Sequence, residues 1–246
     1  MKIEKIKKFF SSSDILIEVL DCRMIQNTRF REIEKKYRDK IIVVAAKCDL
    51  VENLEEIKKK YPDMYFISNI NKEGIEQLKR TIIEKAYKKF ANKGKKIEVF
   101  IFGMPNVGKS SLINSLVGKR VAKSGFRSGI TKGIQWIKFN NQIRIIDSPG
   151  TITKADEEVL ALSASLDAQK VKNPYNVALK IIKKFFELKK QKELFEKFGI
   201  KSCQKEEEVI EEIAKKRGLY IKGGELNIDE ACKILIREWQ RGKIRL

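Results

Sequence analysis

Hydrophobic positions fall along this chain in two regimes. Up to residue 147, short apolar runs alternate with amphipathic stretches. The runs "DILIEVLD" (Asp14–Asp21), "IIVVAA" (Ile41–Ala46), "MYFIS" (Met64–Ser68) and Ile97–Phe102 read as strands. The second contains no polar residue, the pattern of a parallel strand buried on both faces. Ile134–Phe139 and Ile143–Asp147 read as a strand pair joined by the turn "NNQ". Between the strands, residues 2–10, Phe30–Tyr37, Leu54–Tyr61 and Glu73–Asn92 read as helices. The last of these carries Ile75, Leu78, Ile82 and Ile83 on one face. Beyond residue 154 the period is helical throughout, over about 156–170, 174–190, 192–198, 206–217 and 227–241. Pro174 marks a helix start, and Gly199, Gly218 and Gly242 mark helix ends.

Strands that alternate with helices argue an α/β domain, with a mostly parallel sheet and helices on both faces, over residues 1–155. The all-helical block 156–246 argues a second domain. The length, 246 residues, suits this division. The longest apolar runs fall far short of a membrane span, so no membrane association is expected. The N-terminus "MKIEKIKKFF" is basic and amphipathic but has no apolar core or cleavage site after it, so no signal peptide is expected. Four cysteines lie far apart without a C-x-x-C pair, and the chain has no histidine. These features predict a reduced, cytoplasmic, monomeric protein with no structural metal.

The net charge is +20. Residues 1–155 carry 33 Lys+Arg against 17 Asp+Glu, and residues 156–246 carry 20 against 16. The basic excess therefore lies in the α/β half. Such a surplus points to a polyanionic partner through counterion release. A Lys-rich solvated surface of the kind heat-adapted proteins carry is the competing reading.

The chemistry concentrates in "GMPNVGKSS", Gly103–Ser111, between a strand and a helix. Gly103, Gly108, Lys109 and Ser110 complete the phosphate-loop pattern G-x-x-x-x-G-K-[ST]. In such a loop the backbone N–H groups, here from Asn106 and Val107 through Ser111, cradle phosphate oxygens at a helix N-terminus. Lys109 reaches the β/γ-phosphates, and the Ser110 hydroxyl can ligate Mg2+. "DSPG", Asp147–Gly150, follows a strand and supplies the second acidic motif: Asp147 can hold magnesium through water, and the Gly150 N–H can sense a γ-phosphate. In the Gly-rich stretch "FRSGITKG" (Phe126–Gly133), Thr131 is the candidate mobile magnesium ligand. The catalytic candidates are Lys109, Thr131 and Gly150. The base-side candidates are "AKCD", Ala46, Lys47, Cys48 and Asp49, and "SN", Ser68 and Asn69, each at the end of a strand. A carboxylate such as Asp49 accepts from guanine N1–H and the 2-amino group, which adenine does not offer. The Lys47 stem can cover the base, and the 67–70 segment can aim a backbone N–H at the guanine oxygen.

Both base-side motifs precede the phosphate loop, an order that ordinary GTPases reverse. In this the chain resembles the circularly permuted GTPases of the YlqF/YawG type. "LIEVLDCRMIQNTR" is similar to that family's first strand and its "EVLDAR" signature, "GITKGIQW" to its switch segment, and "KKRGLYIKGGELNIDEACKILIREWQRGKI" to the end of its C-terminal helical domain. The absence of a zinc module separates the chain from other permuted branches. The resemblance implies a GTP/GDP-binding, GTP-hydrolysing factor acting on a large ribosomal subunit precursor and its rRNA. It also implies K+ held beside the phosphates by Asn106. Three positions depart from the family pattern: Ala46 where the guanine motif begins with Asn, Thr151 where classical GTPases carry a water-orienting Gln, and the lack of any His. These departures imply slow intrinsic turnover stimulated by ribosomal subunits. They also keep two alternatives in play, a nucleotide-binding RNA scaffold with negligible turnover and an ATP-using enzyme. Asp49 opposes the second of these.

Overall fold

The computed structural model describes residues 3–90, 96–122, 134–148 and 156–246. Thr131, Gly150, Thr151 and Lys154 lie outside the described residues. The chain divides into two compact units, Met1–Thr153 and Lys154–Leu246.

The first unit contains α1 (Ile3–Ser12), β1 (Ile15–Asp21), α2 (Ile25–Thr28), α3 (Arg31–Lys36), β2 (Ile41–Ala46), α4 (Leu54–Lys60), β3 (Tyr65–Ile67), α5 (Ile75–Phe90), β4 (Ile97–Phe102), α6 (Lys109–Val117), β5 (Gln135–Lys138) and β6 (Ile143–Asp147). The strands form one sheet in the order β3-β2-β1-β4-β6-β5. All its pairings are parallel except β5 with β6. The central β1 is buried along its whole length, as expected of a strand covered on both faces. On one face, Phe10 from α1 packs with Leu16, Phe100, Phe102 and Ile146, and Ile33 of α3 and Tyr37 just after that helix join them. The Phe10 and Phe102 rings meet edge to face at 4.8 Å. Ile15, Ile17, Val19, Ile101 and Ile145, of opposite parity along the strands, are equally buried. Helices α5 and α6 pack together, α6 also against β6. This parallel order sets the C-terminal ends of β2, β1, β4 and β6 side by side, the usual place for a ligand crevice in α/β sheets.

The second unit contains α7 (Glu157–Leu162), α8 (Pro174–Glu187), α9 (Gln191–Phe198), α10 (Glu206–Lys216) and α11 (Ile228–Gln240). Its core joins Ile181, Ile182 and Phe185 of α8 with Ile210 and Ile213 of α10 and Leu235, Ile236 and Trp239 of α11, all buried. Asn173 caps α8 by accepting from the Asn176 N–H at 3.2 Å, with Pro174 at the first helical position.

Two sequence expectations need correction. The helix over about 156–170 is not continuous: α7 ends at Leu162, and a single 3-10 turn follows at Ala168–Lys170. Ala164 turns the chain with φ +60, and the N–H groups of Ser165 and Leu166 both return to the Leu160 carbonyl, at 2.7 and 2.9 Å. Gln240 from α11 then donates to the Ala161 and Leu166 carbonyls at 2.8 Å each. A partner remote in sequence thus fixes the break. The second correction is α2, which the apolar pattern did not predict; its Thr28 hydroxyl caps a turn by donating to the Met24 carbonyl at 3.0 Å.

Candidate functional site

The loop between β4 and α6 owes its shape to two glycines. Gly103 has φ +148, and a Cβ there would lie 2.3 Å from the Val19 carbonyl oxygen, so only glycine lets the loop rest on β1. Gly108, with φ +114, precedes the first turn of α6. Asn106 holds φ +60, a conformation asparagine tolerates better than most residues. Val107 is fully buried and anchors the loop from beneath.

Lys109 begins α6 and is buried. Its Nζ donates to the Gly103 carbonyl at 3.1 Å and the Met104 carbonyl at 2.7 Å. Burial lowers its ammonium to about 8, with the Asp147 charge pulling the other way. Asp147 closes β6, in register with Ile101 of β4 and Gln135 of β5. Both of its carboxylate oxygens are buried without a hydrogen-bond partner. Burial raises its carboxyl to about 6, with Lys109 opposing. Next to it, the Ser148 hydroxyl donates to the Ile101 carbonyl at 3.0 Å and ties the end of β6 to β4. Ser110 and Ser111, in the first turn of α6, are half-buried. A lysine resting on loop carbonyls and a buried carboxylate without donors together suit a phosphate group with a hard cation, which would give the lysine an anion in place of carbonyls and the carboxylate a cation of its own.

The base-side candidates gather at the ends of β2 and β3. Ala46 is buried at the end of β2, in register with Ile67 of β3. Lys47 follows in the left-handed conformation, φ +62. Cys48, Asp49 and Leu50 form one 3-10 turn, in which Cys48 is buried and Asp49 half-buried. Burial pushes the Cys48 thiol up to about 12, and Glu73 adds to this, so the thiol is inert rather than nucleophilic. Ser68 is buried; its hydroxyl accepts from the Asn71 N–H at 3.0 Å, and its own N–H donates to the Glu73 carbonyl at 3.1 Å. Gly108 links the two sides: a Cβ there would lie 3.5 Å from the Ala46 methyl and 3.6 Å from the Asn69 side-chain nitrogen. The fold therefore brings the 46–49 turn, the 68–69 turn and the phosphate loop to one end of the sheet. Thr131 and Gly150 fall outside the described residues.

Sequence reasoning assigned no role to the residues that hold Lys47. Asp21, at the end of β1, is completely buried and accepts from Lys47 Nζ at 2.7 Å. Arg23 grips the same carboxylate through Nε at 3.0 Å and Nη2 at 2.9 Å. Burial alone would raise the Asp21 carboxyl, but Arg23 and Lys47 together hold it well below the usual carboxylate range. The signal in the sequence was a D-x-R at the end of an apolar strand, inside the stretch similar to the family's "EVLDAR" signature.

Comparison with known proteins identifies relatives of the whole chain. The family described as 50S ribosome-binding GTPase matches residues 98–216. An uncharacterized GTP-binding protein of Methanocaldococcus jannaschii is 36% identical over 247 residues, covering 97% of this chain and 65% of that protein. Ribosome biogenesis GTPase A of Bacillus licheniformis is 30% identical over 243 residues, covering 92% and 86%. The GNP-bound crystal structure of YlqF from T. maritima superposes with a TM-score of 0.59 at 26% identity, over 98% of this chain and 93% of that one. Seven of the curated relatives are longer proteins, of which the chain spans 42% to 65%. The permuted order of the site motifs, with a relative matched over nearly its full length, shows that the chain belongs to the circularly permuted GTPases of the YlqF/YawG type.

Proposed function

We propose that this protein binds GTP and GDP at the Gly103–Ser111 loop, hydrolyses GTP slowly, and acts as a switch in assembly of the large ribosomal subunit. The observation that carries this reading is the buried, unpartnered Asp147 carboxylate at a strand end beside the strand that leads into the phosphate loop. A structural carboxylate would be expected to have donors of its own. The Ser110 hydroxyl and Asp147 would hold magnesium, with Thr131 completing the set. The bound ion would neutralise charge on the transferred phosphoryl group.

This chain's own residues do the rest by positioning and electrostatics. Lys109 leaves the Gly103 and Met104 carbonyls for phosphate oxygens. The backbone N–H groups of 106–111 cradle the same phosphates. Asp49 accepts from the guanine edge, while the stem of Lys47, fixed from behind by Asp21, lies along the base. The Gly150 N–H senses the γ-phosphate. Asn106 contributes to a potassium site. The basic α/β unit meets rRNA in the large-subunit precursor, and the protein works as a cytoplasmic monomer. The names of several relatives, among them ribosome biogenesis GTPase A, support this reading.

A second reading, a nucleotide-binding RNA scaffold with negligible turnover, draws on one observation: the chain has no histidine to serve as a base. Phosphate release with and without large ribosomal subunits separates the two, run beside co-sedimentation in GTP-analogue and GDP states. Stimulated turnover and nucleotide-dependent co-sedimentation are expected. Lys109→Ala is expected to abolish measurable triphosphate binding, because its ammonium balances phosphate charge inside the cradle. Tight binding by that variant would show that the loop is not the site.

A further inference from the structure

The end of β2 is apolar where the family's guanine motif carries an amide. Ala46 offers only a methyl group, packed against the turn at Gly108. In the turn after the neighbouring strand, Asn69 lies two residues beyond Ile67, the register partner of Ala46. Its amide borders the same turn: the two side chains would lie 3.5 Å and 3.6 Å from a Cβ placed on Gly108. The Asn69 Oδ1 atom is shielded from solvent and has no hydrogen-bond partner. The loop's own hydrogen bonds run elsewhere, from Ser68 N–H to the Glu73 carbonyl and from Asn71 N–H to the Ser68 hydroxyl. The amide nitrogen, a donor, is the Asn69 atom that borders the Gly108 turn, at the seam between base side and phosphate side.

We propose that the side-chain amide of Asn69 reads the imidazole edge of the bound purine, donating to N7 in place of the group that Ala46 lacks. This deepens the guanine-nucleotide reading above and rests on it. The chemistry suits the position. A purine presents N7 as an acceptor on that edge, and guanine adds O6 as a second acceptor, so the two N–H bonds of one amide can serve both. Adenine presents the same N7, and there the amide oxygen can accept from the 6-amino group while the nitrogen still donates to N7. Asn69 therefore supplies affinity through N7, while the choice of guanine stays with Asp49. The methyl at residue 46 is part of the device, because it and the Asn69 amide share the space beside Gly108. Ala46 and Asn69 act as an exchanged pair, one strand end giving up the amide that the other takes on.

The test uses the full chain and two competitors, GDP and 7-deaza-GDP, which differ only in the N7 acceptor. Wild-type protein is expected to bind GDP about fivefold tighter than the deaza analogue, the worth of one hydrogen bond. Asn69→Ala should weaken GDP binding by about the same factor and bring the ratio of the two affinities to about one. Adding Ala46→Asn to that variant should restore the ratio, a recovery that a merely structural role for Asn69 would not produce. Should Asn69→Ala fold poorly, Asn69→Ser keeps a small polar residue and should lose the ratio equally. A wild-type ratio of one, or an Asn69→Ala protein that keeps the wild-type ratio, would overturn the proposal. Equal displacement by GTP and ATP would instead overturn the guanine reading, while the deaza comparison repeated with adenine nucleotides would still report on N7.

Discussion

Glu18 is a carboxylic acid set in the middle of the central strand, fully buried. It accepts from the Phe30 N–H at 2.6 Å through Oε1, while Oε2 has no partner. Burial pushes its carboxyl up to about 8, and the like charge of Glu34 adds to the effect. Between the ordinary glutamate range and pH 8 the folded protein therefore holds a proton that the unfolded chain has lost. The native state binds more protons over that window, so stability falls as pH rises through it. Glu18→Gln keeps the acceptor for Phe30 and removes the titration. Thermal unfolding at pH 5.5 and pH 8 should show the variant gaining on wild type as pH rises. A constant difference between them would mean that Glu18 is ionised in the fold. Residues of this kind were the ones hidden from sequence. Lys109, Ser110, Asp147 and Asp49 could be read because a phosphate loop and its companions work at fixed spacings along the chain. Glu18 and the Asp21–Arg23 grip on Lys47 depend on what the fold sets beside them, which no local pattern records.

Elements were legible wherever one period ruled. The strands at β1, β2, β4 and β6 stand within a residue of their apolar runs, because a strand buried on both faces admits few polar residues. The expected helix over 156–170 failed because its break is imposed from α11. Ser163 and Ala164 carry no strong stop signal of their own, and the carbonyls freed at the end of α7 are taken by Gln240 and Trp239. Trp239 is fully buried, packs edge to face against Phe185 at 6.4 Å, and donates from Nε1 to the Leu162 carbonyl at 2.8 Å. Trp239→Phe retains much of the apolar contact but leaves that buried carbonyl without its donor. A loss of about 2 kcal/mol is expected, within the cost of an unsatisfied buried group, measured by denaturant unfolding of the full chain followed by far-UV circular dichroism. A loss under about 0.5 kcal/mol would mean that water replaces the indole, as at a solvated surface position.

At the scale of the whole molecule, permutation changes what the phosphate site is connected to. The strand ends that carry the base-side residues, Ala46 and Ile67, come before the phosphate loop in the chain. Among the described residues no strand follows β6, which ends at Asp147, and the first helix of the second unit, α7, begins at Glu157. Gly150, the candidate γ-phosphate sensor, lies in this short passage, with Thr151 and Lys154 next to it. We expect the segment to serve as both switch and connector, so that a γ-phosphate held at Gly150 biases the arrangement favoured by the helical unit. A ligand shifts such an equilibrium only by its differential affinity for the two arrangements. Coupling is also reciprocal: if GTP favours ribosome binding by a given factor, the ribosome favours GTP over GDP by that factor. Adding large ribosomal subunits should therefore raise the ratio of affinities for a non-hydrolysable GTP analogue over GDP, by about 5- to 150-fold for a coupling of ordinary size. The ratio is read by equilibrium competition against a fluorescent guanine nucleotide, with and without subunits. Salt should be fixed, since the 33 basic against 17 acidic residues of positions 1–155 make any RNA contact salt-dependent. Subunits that bind the protein yet leave the ratio unchanged would make the helical unit a passive anchor, with the γ-phosphate sensed only inside the α/β unit.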